Sequence, residues 1–419
     1  MNFEKFFKKS DPIIAHILNK SLSNKEISTN DALEMYNAKG VDFYLIGTAA
    51  DELRKNTIGN LVTYVINRNI NFTNVCVKQC GFCAFSKDFR EDNGYFLPIT
   101  EIVRKTKEAY KFGATEVCIQ AGLSPNMEPD QYEKICRSIK KEIPTMHIHG
   151  FSPEEILYGS FKSNTSIYNY LKRLKEAGVD TIPGTSAEIL NQTIRDKISP
   201  GRISVKDWIN VVKTAHKLGI KSTSTMMFGH IEKPLDRIKH IDIIREIQKE
   251  TKGFTEFVPL NFVYSEAPMY KNDQTNKINP GANTKDILLT YAISRIMLNN
   301  IINNLQVSWV KDGLDMAQIL LTWGANDLGG TLINESISTT AGSKHGQIVK
   351  PMNLRNIIWS INRIPAQRNT SYELLRIFNN KLDEYVDKLD VLDNTNIFGS
   401  YFELTQINKF KYKNIKMKI

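Results

Sequence analysis

Cys76, Cys80 and Cys83 form a C-x3-C-x2-C array, which places three thiol groups within eight residues. Thiolates at such short spacing are soft ligands, and soft ligands suit iron–sulfur clusters or zinc. A cuboidal 4Fe-4S cluster held by three cysteines keeps one iron open for a further ligand. The array therefore predicts one 4Fe-4S cluster on these three side chains.

A zinc site is the structural alternative for the same cysteines. Structural zinc takes four ligands, so the array would need a partner such as His147 or His149. The position of the array, directly after the first predicted strand, favours the cluster, because active sites of barrel proteins form at that end of the strands.

The remaining cysteines, Cys118 and Cys136, are isolated in the sequence. Two such residues cannot hold a second full cluster by themselves. Five cysteines in this distribution also do not make a disulfide framework, so we expect a reducing compartment.

Strand-like and helix-like segments alternate from about residue 61 to about residue 330. The predicted strands are residues 61–70, 115–120, 145–149, 179–183, 220–227, 255–260, 305–310 and 325–328. Glycines are predicted to end several of the intervening helices, at Gly113, Gly178, Gly219 and Gly324. Eight strands joined by helices predict an α/β protein with a closed, TIM-type (β/α)8 barrel.

The parts outside the barrel are predicted from composition and periodicity. Residues 1–60 are expected to form a helical N-terminal extension, residues 61–350 the barrel and residues 351–378 a helical C-terminal cap. Residues 379–419 are a Lys- and Asn-rich extension to which the sequence assigns no task. Its lysines, at positions 409, 411, 413, 416 and 418, predict a solvated terminal segment.

Strand alternation predicts which side chains face the barrel lumen. If Val117 and Ile119 point outward to the helices, then Glu116, Cys118 and Gln120 point inward. The same argument turns His147, His149 and Glu256 inward. Because barrel interiors are usually apolar, a polar lumen predicts a buried substrate site. We expect His147 or His149 to serve substrate binding or proton transfer as a catalytic residue.

Composition excludes several classes of protein. With 419 residues and 41% hydrophobic content the chain is globular, and no apolar run is long enough for a membrane span. The N-terminus has no signal-like apolar core, so we expect a cytoplasmic protein. The net charge of +10 is spread along the chain and forms no basic stripe, which argues against nucleic-acid binding.

Longer motifs resemble a known family. The segments CIQAGLSP, HIHGFSPEEILYG, AGVDTIPGTSAEIL, STMMFGHIE, GFTEFVPLNFV, WVKDG, GANDLGGTL and RIPAQRNTSYELL, together with Asn71–Phe85, look like the tyrosine-using subunits of FO synthase. These are radical S-adenosylmethionine (SAM) enzymes. The resemblance covers roughly residues 45–378.

The resemblance implies a reaction and its participants. One 4Fe-4S cluster and SAM would yield a 5′-deoxyadenosyl radical that takes hydrogen from the amino group of L-tyrosine. The Cα–Cβ bond would break, and the 4-hydroxybenzyl fragment would add to 5-amino-6-(D-ribitylamino)uracil on the route to the 8-hydroxy-5-deazaflavin chromophore. Expected partners are the ring-closing radical SAM subunit and a low-potential electron donor such as ferredoxin or flavodoxin.

The resemblance also suggests cofactor-binding residues. Phe82 would pack over the cluster edge near the SAM adenine, with plain core packing as its alternative. Many radical SAM enzymes hold the SAM amino group with Gly-Gly-Glu after the second strand, but this chain has Gln120-Ala121-Gly122 there. Gln120 or the backbone at Gly122 would make that contact. Glu188 is the candidate for the SAM ribose or amino group, and its alternative is a carboxylate that stabilises a helix N-terminus.

Two alternative functions stay open at this point. Aminofutalosine synthase of menaquinone biosynthesis uses the same cluster and a similar barrel, but adds the adenosyl radical to an enolpyruvyl benzoate. A non-catalytic iron–sulfur protein for electron transfer or sensing is the alternative from another class. A large polar lumen would serve no purpose in an electron carrier.

Overall fold

The computed structural model describes residues 3–275, 277–380 and 385–414. Four helices precede the barrel, as predicted for the N-terminal extension: α1 (Glu4–Phe7), α2 (Pro12–Leu22), α3 (Thr29–Tyr36) and α4 (Val41–Ile58). Asp11 begins α2 by accepting a hydrogen bond from the backbone N–H of Ile13, and Pro12 supplies the preset first turn. Ser28 and Asp31 form a reciprocal capping box at α3.

The described residues contain ten strands, which form two connected sheets. They are β1 (Leu61–Val65), β2 (Asn67–Ile70), β3 (Glu116–Ile119), β4 (His147–Gly150), β5 (Thr181–Ile182), β6 (Lys221–Phe228), β7 (Phe254–Asn261), β8 (Asp327–Gly330), β9 (Ile364–Arg368) and β10 (Leu374–Ile377). One sheet has the order β2-β3-β4-β5-β6-β7 and is parallel throughout. The other has the order β10-β9-β1-β8, in which β10 alone runs antiparallel to its neighbour.

Two bridging segments close these sheets into the predicted barrel. The first predicted strand is divided into β1 and β2, so one run of chain belongs to both sheets. On the other side, Leu305 pairs with Phe257 of β7, and Gln306 pairs with Asp327 of β8. The predicted strand 305–310 is thus reduced to these two bridging residues. Its second half is wrong as a strand, because Trp309–Asp312 forms a short helix, α14.

Helices connect the strands of the barrel. They are α5 (Ile99–Lys111), α6 (Gln131–Glu142), α7 (Pro153–Lys162), α8 (Ile167–Ala177), α9 (Gln192–Ile198), α10 (Val205–Lys217), α11 (Pro234–Thr251), α12 (Pro268–Lys271), α13 (Thr284–Met297), α15 (Leu314–Leu321) and α16 (Ile337–Thr340). In α5, Ile102, Thr106 and Ala109 are buried on one face, as the helical period requires. Gly178 ends α8 in the left-handed conformation, with φ of 110°, as predicted.

The C-terminal cap differs from the helical prediction. Only α17 (Pro351–Ser360) is helical, whereas β9 and β10 form a hairpin that joins the sheet. β9 pairs in parallel with β1, from Leu61 opposite Ile364 to Tyr64 opposite Gln367. The prediction missed this hairpin because its strands are short and β10 is largely exposed. The division of the chain at residues 60, 350 and 378 stays a prediction.

The extension after residue 379 is ordered against the barrel between residues 385 and 414. It contains a short helix, α18 (Tyr401–Gln406), and buries Phe410 and Tyr412, each 4% exposed. The predicted solvated tail is therefore wrong for these two aromatic residues. Lys409 and Lys413 are exposed, and positions 416 and 418 lie outside the described residues.

The hairpin carries a buried cation into the barrel. The Arg368 guanidinium donates to both carboxylate oxygens of Asp327, at 2.6 and 3.0 Å, and to Glu256 at 3.5 Å. The Tyr372 hydroxyl donates to the same Glu256 carboxylate, and its ring lies 4.0 Å from the guanidinium carbon. The charges of these side chains, which lie in the lumen near β1 and β8, are therefore paired with one another.

Among the described helices, none is long and apolar enough to cross a membrane.

Arg368→Ala is expected to lower the free energy of unfolding by about 3–5 kcal/mol, because it leaves the buried carboxylate of Asp327 without its cation. Denaturant unfolding of the iron-free chain measures the change. Arg104→Ala is the matched control, since Arg104 makes exposed ion pairs with Glu101 and Glu108 and should contribute less than about 1 kcal/mol. Equal losses in the two variants would contradict the assigned role of Arg368.

Candidate cluster and substrate site

A cavity of about 220 Å³ opens at the C-terminal ends of the barrel strands, where the array of cysteines lies. Its wall comes from the segments that follow β2, β3, β4 and β5, from the last residues of β6 and β7 and the residues after β7, and from Lys311, Ile337 and Ala341. The polar and thiol side chains in the wall are Cys76, Lys78, Cys80, Cys83, Ser86, Gln120, Ser152, Glu154, Glu155, Thr185, Ser186, Glu188, Arg202, Asn261 and Lys311.

The loop that carries the cysteines is held by backbone hydrogen bonds to distant parts of the chain. Cys76 N–H donates to the carbonyl of Lys87 at 3.0 Å, and Val77 N–H donates to that of Leu123 at 2.9 Å. Gly81 sits between α9 and α12, where an added Cβ would lie 2.9 Å from Met269 Cβ and 3.2 Å from the Ile198 carbonyl oxygen. A larger residue than Gly81 would therefore collide with Met269 and with the backbone of Ile198.

The thiols of the array are buried or half-buried beside a guanidinium group. Burial raises the pKa of Cys80 to about 12 and also raises the pKa of Cys76, so both are protonated when no metal is bound. Arg202 opposes this effect, with Nη1 3.6 Å from Cys80 Sγ. Metal binding to such thiols releases their protons, and a nearby guanidinium stabilises the resulting negative charge.

The histidines do not complete a zinc site with these cysteines. Neither His147 nor His149 lies in the cavity wall. Among residues 3–275, 277–380 and 385–414, no three His, Cys, Asp or Glu side chains converge on a position for a single metal ion. Three cysteines that bind separate irons of a cluster need no such convergence.

Gln120 and Gly122 lie in the wall, as predicted for cofactor-binding residues. Gln120 Oε1 accepts a hydrogen bond from Thr185 Oγ1 at 2.9 Å, which fixes its side chain between β3 and β5. Gly122 N–H donates to the carbonyl of Thr73 at 2.9 Å, and a Cβ here would lie 2.3 Å from the carbonyl oxygen of Val75. Only glycine allows the segment after β3 to approach the cysteine loop so closely.

Glu188 lies in the wall in a strained backbone segment. Its φ is 43°, and that of Ser186 is 65°, both in the left-handed region that side chains disfavour. Arg202 holds the segment by donating to Glu188 Oε1 at 2.8 Å and to Ser186 Oγ at 2.9 Å. The guanidinium carbon also lies 5.4 Å from the centre of the Phe82 ring, so Phe82 lines the cavity beside Glu188. The cofactor roles predicted for these residues stay predictions.

Two carboxylates and two cations in the wall were not predicted from the sequence. Glu155 accepts hydrogen bonds from Ala121 N–H at 3.0 Å and Ser152 N–H at 2.8 Å, and burial raises its pKa to about 7. Glu154 accepts from Ile203 N–H at 2.6 Å. The capping-box pattern Ser152–Glu155 directly after β4 was the signal for Glu155, whereas no local pattern marks Arg202.

Lys311 is the other missed cation. Its Nζ donates to Ser338 Oγ at 3.0 Å, and burial lowers its pKa despite the nearby carboxylate of Glu335. Within the described part of the chain, no carboxylate oxygen lies within 4.0 Å of this ammonium group. Asn261 stands beside it in the wall and donates to Asp312 at 3.0 Å. Lys311 can therefore accept an anionic group that enters the cavity.

His147 and His149 face inward, as the alternation predicts, but lie below the cavity. Both rings contact Thr181 Oγ1, with distances of 2.8 Å from His147 Nε2 and 2.7 Å from His149 Nδ1. Burial lowers the pKa of His149 to about 4, so the ring is neutral at pH 7. In register, His149 stands beside Cys118, one layer below Gln120 in the wall. A catalytic role for either histidine stays a prediction.

Comparison with protein families matches two parts of the chain. Residues 70–244 match the radical SAM superfamily, and residues 251–381 match the CofH/MqnC C-terminal region. The first match contains the array of cysteines together with Gln120, Gly122 and Glu188. The second contains Lys311 and the β9–β10 hairpin.

Curated relatives match most of the chain. The 5-amino-6-(D-ribitylamino)uracil--L-tyrosine 4-hydroxyphenyl transferase of Methanocaldococcus jannaschii is 46% identical over 354 residues, which are 84% of this chain and 98% of that protein. The enzyme of the same name from Methanothermobacter thermautotrophicus is 44% identical over 85% of this chain and 96% of that protein. FO synthase of Nocardia farcinica is 43% identical over 83% of this chain but 40% of its own length.

Solved structures share the fold at low sequence identity. Methylornithine synthase (PylB) superposes with a TM-score of 0.65 over 84% of this chain and 97% of its own, at 16% identity. The FeFe-hydrogenase maturase HydG from Carboxydothermus hydrogenoformans gives 0.67 over 88% of this chain and 82% of its own, at 15% identity. These likenesses support the barrel and no particular substrate.

Cys76→Ala, Cys80→Ala and Cys83→Ala are each expected to abolish cluster binding, because the three thiolates are the predicted protein ligands. The unchanged chain, reconstituted without oxygen, should bind about four irons. Iron analysis and the absorbance of the cluster measure the outcome. Cys118→Ala, which removes a buried thiol outside the array, should keep full iron content. Loss of iron in that variant, or full occupancy by zinc after anaerobic expression, would contradict the assignment.

Proposed function

Since the chain belongs to the 5-amino-6-(D-ribitylamino)uracil--L-tyrosine 4-hydroxyphenyl transferase family of radical SAM enzymes, we propose that it catalyses this transfer. In the proposed reaction, the Cα–Cβ bond of L-tyrosine is cleaved, and the 4-hydroxybenzyl group is joined to 5-amino-6-(D-ribitylamino)uracil. The observation that carries the proposal is 46% identity across 98% of a relative with this activity in its name.

The same comparison bears on the alternatives. Seven relatives that are 43–46% identical over 84–85% of this chain carry the transferase name, and this favours the transferase over aminofutalosine synthase. A cavity of about 220 Å³ lined by Gln120, Glu155, Arg202 and Lys311 also argues against a simple electron carrier, which needs no substrate site.

The cysteines would hold one 4Fe-4S cluster, and the wall next to them would hold SAM. When bound, cluster and SAM together supply the 5′-deoxyadenosyl radical. Arg202 would offset the negative charge of the thiolates, since its Nη1 already contacts Cys80 Sγ. Glu188, whose second oxygen is not used by Arg202, would accept hydrogen bonds from the amino or ribose groups of SAM. Gln120 and the backbone at Gly122 would position the same molecule, with Phe82 beside it.

Lys311 would bind the carboxylate of L-tyrosine. An α-carboxylate is anionic at neutral pH, and an ammonium group that makes no ion pair with the described carboxylates is a matching partner for it. Its hydrogen bond to Ser338 Oγ fixes the ammonium at the wall and leaves donors free. His149 lies one layer deeper as a neutral ring, so it would act through hydrogen bonding and not as a cation.

The setting of the reaction is part of the proposal. We place the enzyme in the cytoplasm, with ferredoxin or flavodoxin as electron donor and the ring-closing radical SAM subunit of FO synthase as the consumer of its product. This chain matches 40% of the length of the Nocardia farcinica FO synthase. The rest of that protein has room for a second activity, which agrees with a separate ring-closing subunit here.

Anaerobic incubation with SAM, reductant, tyrosine and 5-amino-6-(D-ribitylamino)uracil is expected to give the joined product and 5′-deoxyadenosine in proportion. Tyrosine should be consumed fastest when the uracil is present, because the uracil takes up the benzyl fragment. Mass spectrometry of the products measures both. An adenosyl adduct of an enolpyruvyl benzoate, without reaction of tyrosine, would transfer the assignment to menaquinone biosynthesis.

Lys311→Met is expected to raise KM for tyrosine about tenfold or more, because a hydrogen bond to a charged group contributes about 1.5–3 kcal/mol. Lys311→Arg, which keeps the charge, should recover part of the loss. Steady-state kinetics with tyrosine and SAM varied separately measure the effect, and Lys344→Met serves as the exposed control. A rise in KM for SAM alone would show that Lys311 binds the cofactor instead.

A further inference from the structure

The C-terminal strap, residues 385–414, lies outside both family matches, the second of which ends at residue 381. Its first anchor is a buried ion pair. Arg355 of α17 donates to Asp390 at 2.8 Å and also contacts the Asp387 carboxylate. A second anchor follows at Phe398, whose ring lies 5.3 Å from the guanidinium carbon of Arg68 in β2.

The third anchor reaches the base of the cysteine loop. Asn74 Nδ2 donates to the Tyr401 hydroxyl at 3.0 Å, and Asn74 Oδ1 accepts from Tyr95 N–H at 2.9 Å. The Tyr401 ring is 5% exposed and packs with its centre 5.3 Å from that of Phe85. Asn74 and Phe85 flank the three cysteines in sequence, so one side chain of the strap contacts both ends of the loop.

The fourth anchor joins the loop to the segment after β3. Phe96 N–H donates to the carbonyl of Phe410 at 2.9 Å, and Tyr412 N–H donates to that of Gly94 at 2.8 Å. The Tyr412 hydroxyl lies 2.9 Å from Ser124 Oγ. Ser124 follows Leu123, which accepts the hydrogen bond from Val77 in the cysteine loop. Tyr412 thus contacts both segments that meet beside Cys76.

These contacts share one target. Tyr401 and Tyr412 lie outside the cavity wall. Tyr401 contacts the loop that carries the cysteines, and Tyr412 contacts the segment after β3 that packs against this loop. The loop from residue 74 to residue 96 has only isolated bridges of regular structure, at Thr73–Phe96, Val75–Lys87 and Tyr95–Lys411. The last of these bridges is made by the strap itself.

We propose that the C-terminal strap is a positioning device for the cluster loop, in which Tyr401 and Tyr412 keep residues 74–96 closed and thereby retain the cluster and shield it from oxygen. Neither tyrosine lies in the cavity wall, so both are positioning residues. The part that concerns the cluster rests on the proposed function, whereas closure of the loop is a property of the iron-free chain.

Hydrogen–deuterium exchange of the iron-free protein tests closure directly. Two variants are compared with the unchanged chain. One is a truncation after Asp393, which keeps the ion pairs to Arg355, and the other is the double variant Tyr401→Phe with Tyr412→Phe. Exchange in residues 74–96 should rise at least tenfold in the truncated chain and at least threefold in the double variant. Exchange in β6 and β7 should not change. Tyr44→Phe, which removes an exposed hydroxyl from α4, is the control.

A second measurement follows the reconstituted protein in air. The absorbance of the cluster should decay at least threefold faster in both variants than in the unchanged chain and the control. Unchanged exchange in residues 74–96 would overturn the proposal, and so would a rise spread evenly over the whole barrel, which would mean general destabilisation. If the truncated chain does not fold, the double variant decides. If no variant binds iron, the cluster assignment fails and the exchange data still test closure.

Discussion

The loop that carries Cys76, Cys80 and Cys83 has neither helix nor strand of its own, so its shape depends on hydrogen bonds to the rest of the molecule. Those bonds come from the segment after β3, from α9 and α12 through Gly81, and from the C-terminal strap. A cluster with three protein ligands requires three thiols at fixed positions, and a free loop would lose that arrangement through its conformational entropy. Much of the architecture around the cavity can be understood as the means of fixing this loop.

The barrel lumen is divided into a sealed part and an open part. On the sealed side, the β9–β10 hairpin brings Arg368 and Tyr372 against Asp327 and Glu256, so buried charges are compensated. On the open side, the cavity wall contains charges that are only partly compensated, such as Lys311. Buried charge without a full partner is costly, and it is found where a ligand completes the set. This contrast supports the proposed substrate site at the C-terminal ends of the strands.

The charges of the cavity wall are stabilised in different ways. Arg202 is held by Glu188 and Ser186 and faces the thiols, so it is fixed before any cofactor binds. Glu155 is satisfied by backbone N–H groups and Ser152, and its raised pKa of about 7 lets it carry or release a proton near neutral pH. Because these charges are already in position, the site does not have to reorganise during the reaction.

The sequence by itself determined the local features. The spacing of three cysteines, the alternation that turns His147 and His149 inward, and the succession of strands and helices are short-range patterns, and the structure agrees with the barrel and with the inward strand faces. The tertiary structure alone decided which distant residues meet. Arg202 reaches Cys80, Tyr401 reaches Asn74, and a hairpin in place of a helical cap brings Arg368 to Asp327. No local period encodes such contacts, because they depend on how the barrel closes and on where the chain after it comes to lie.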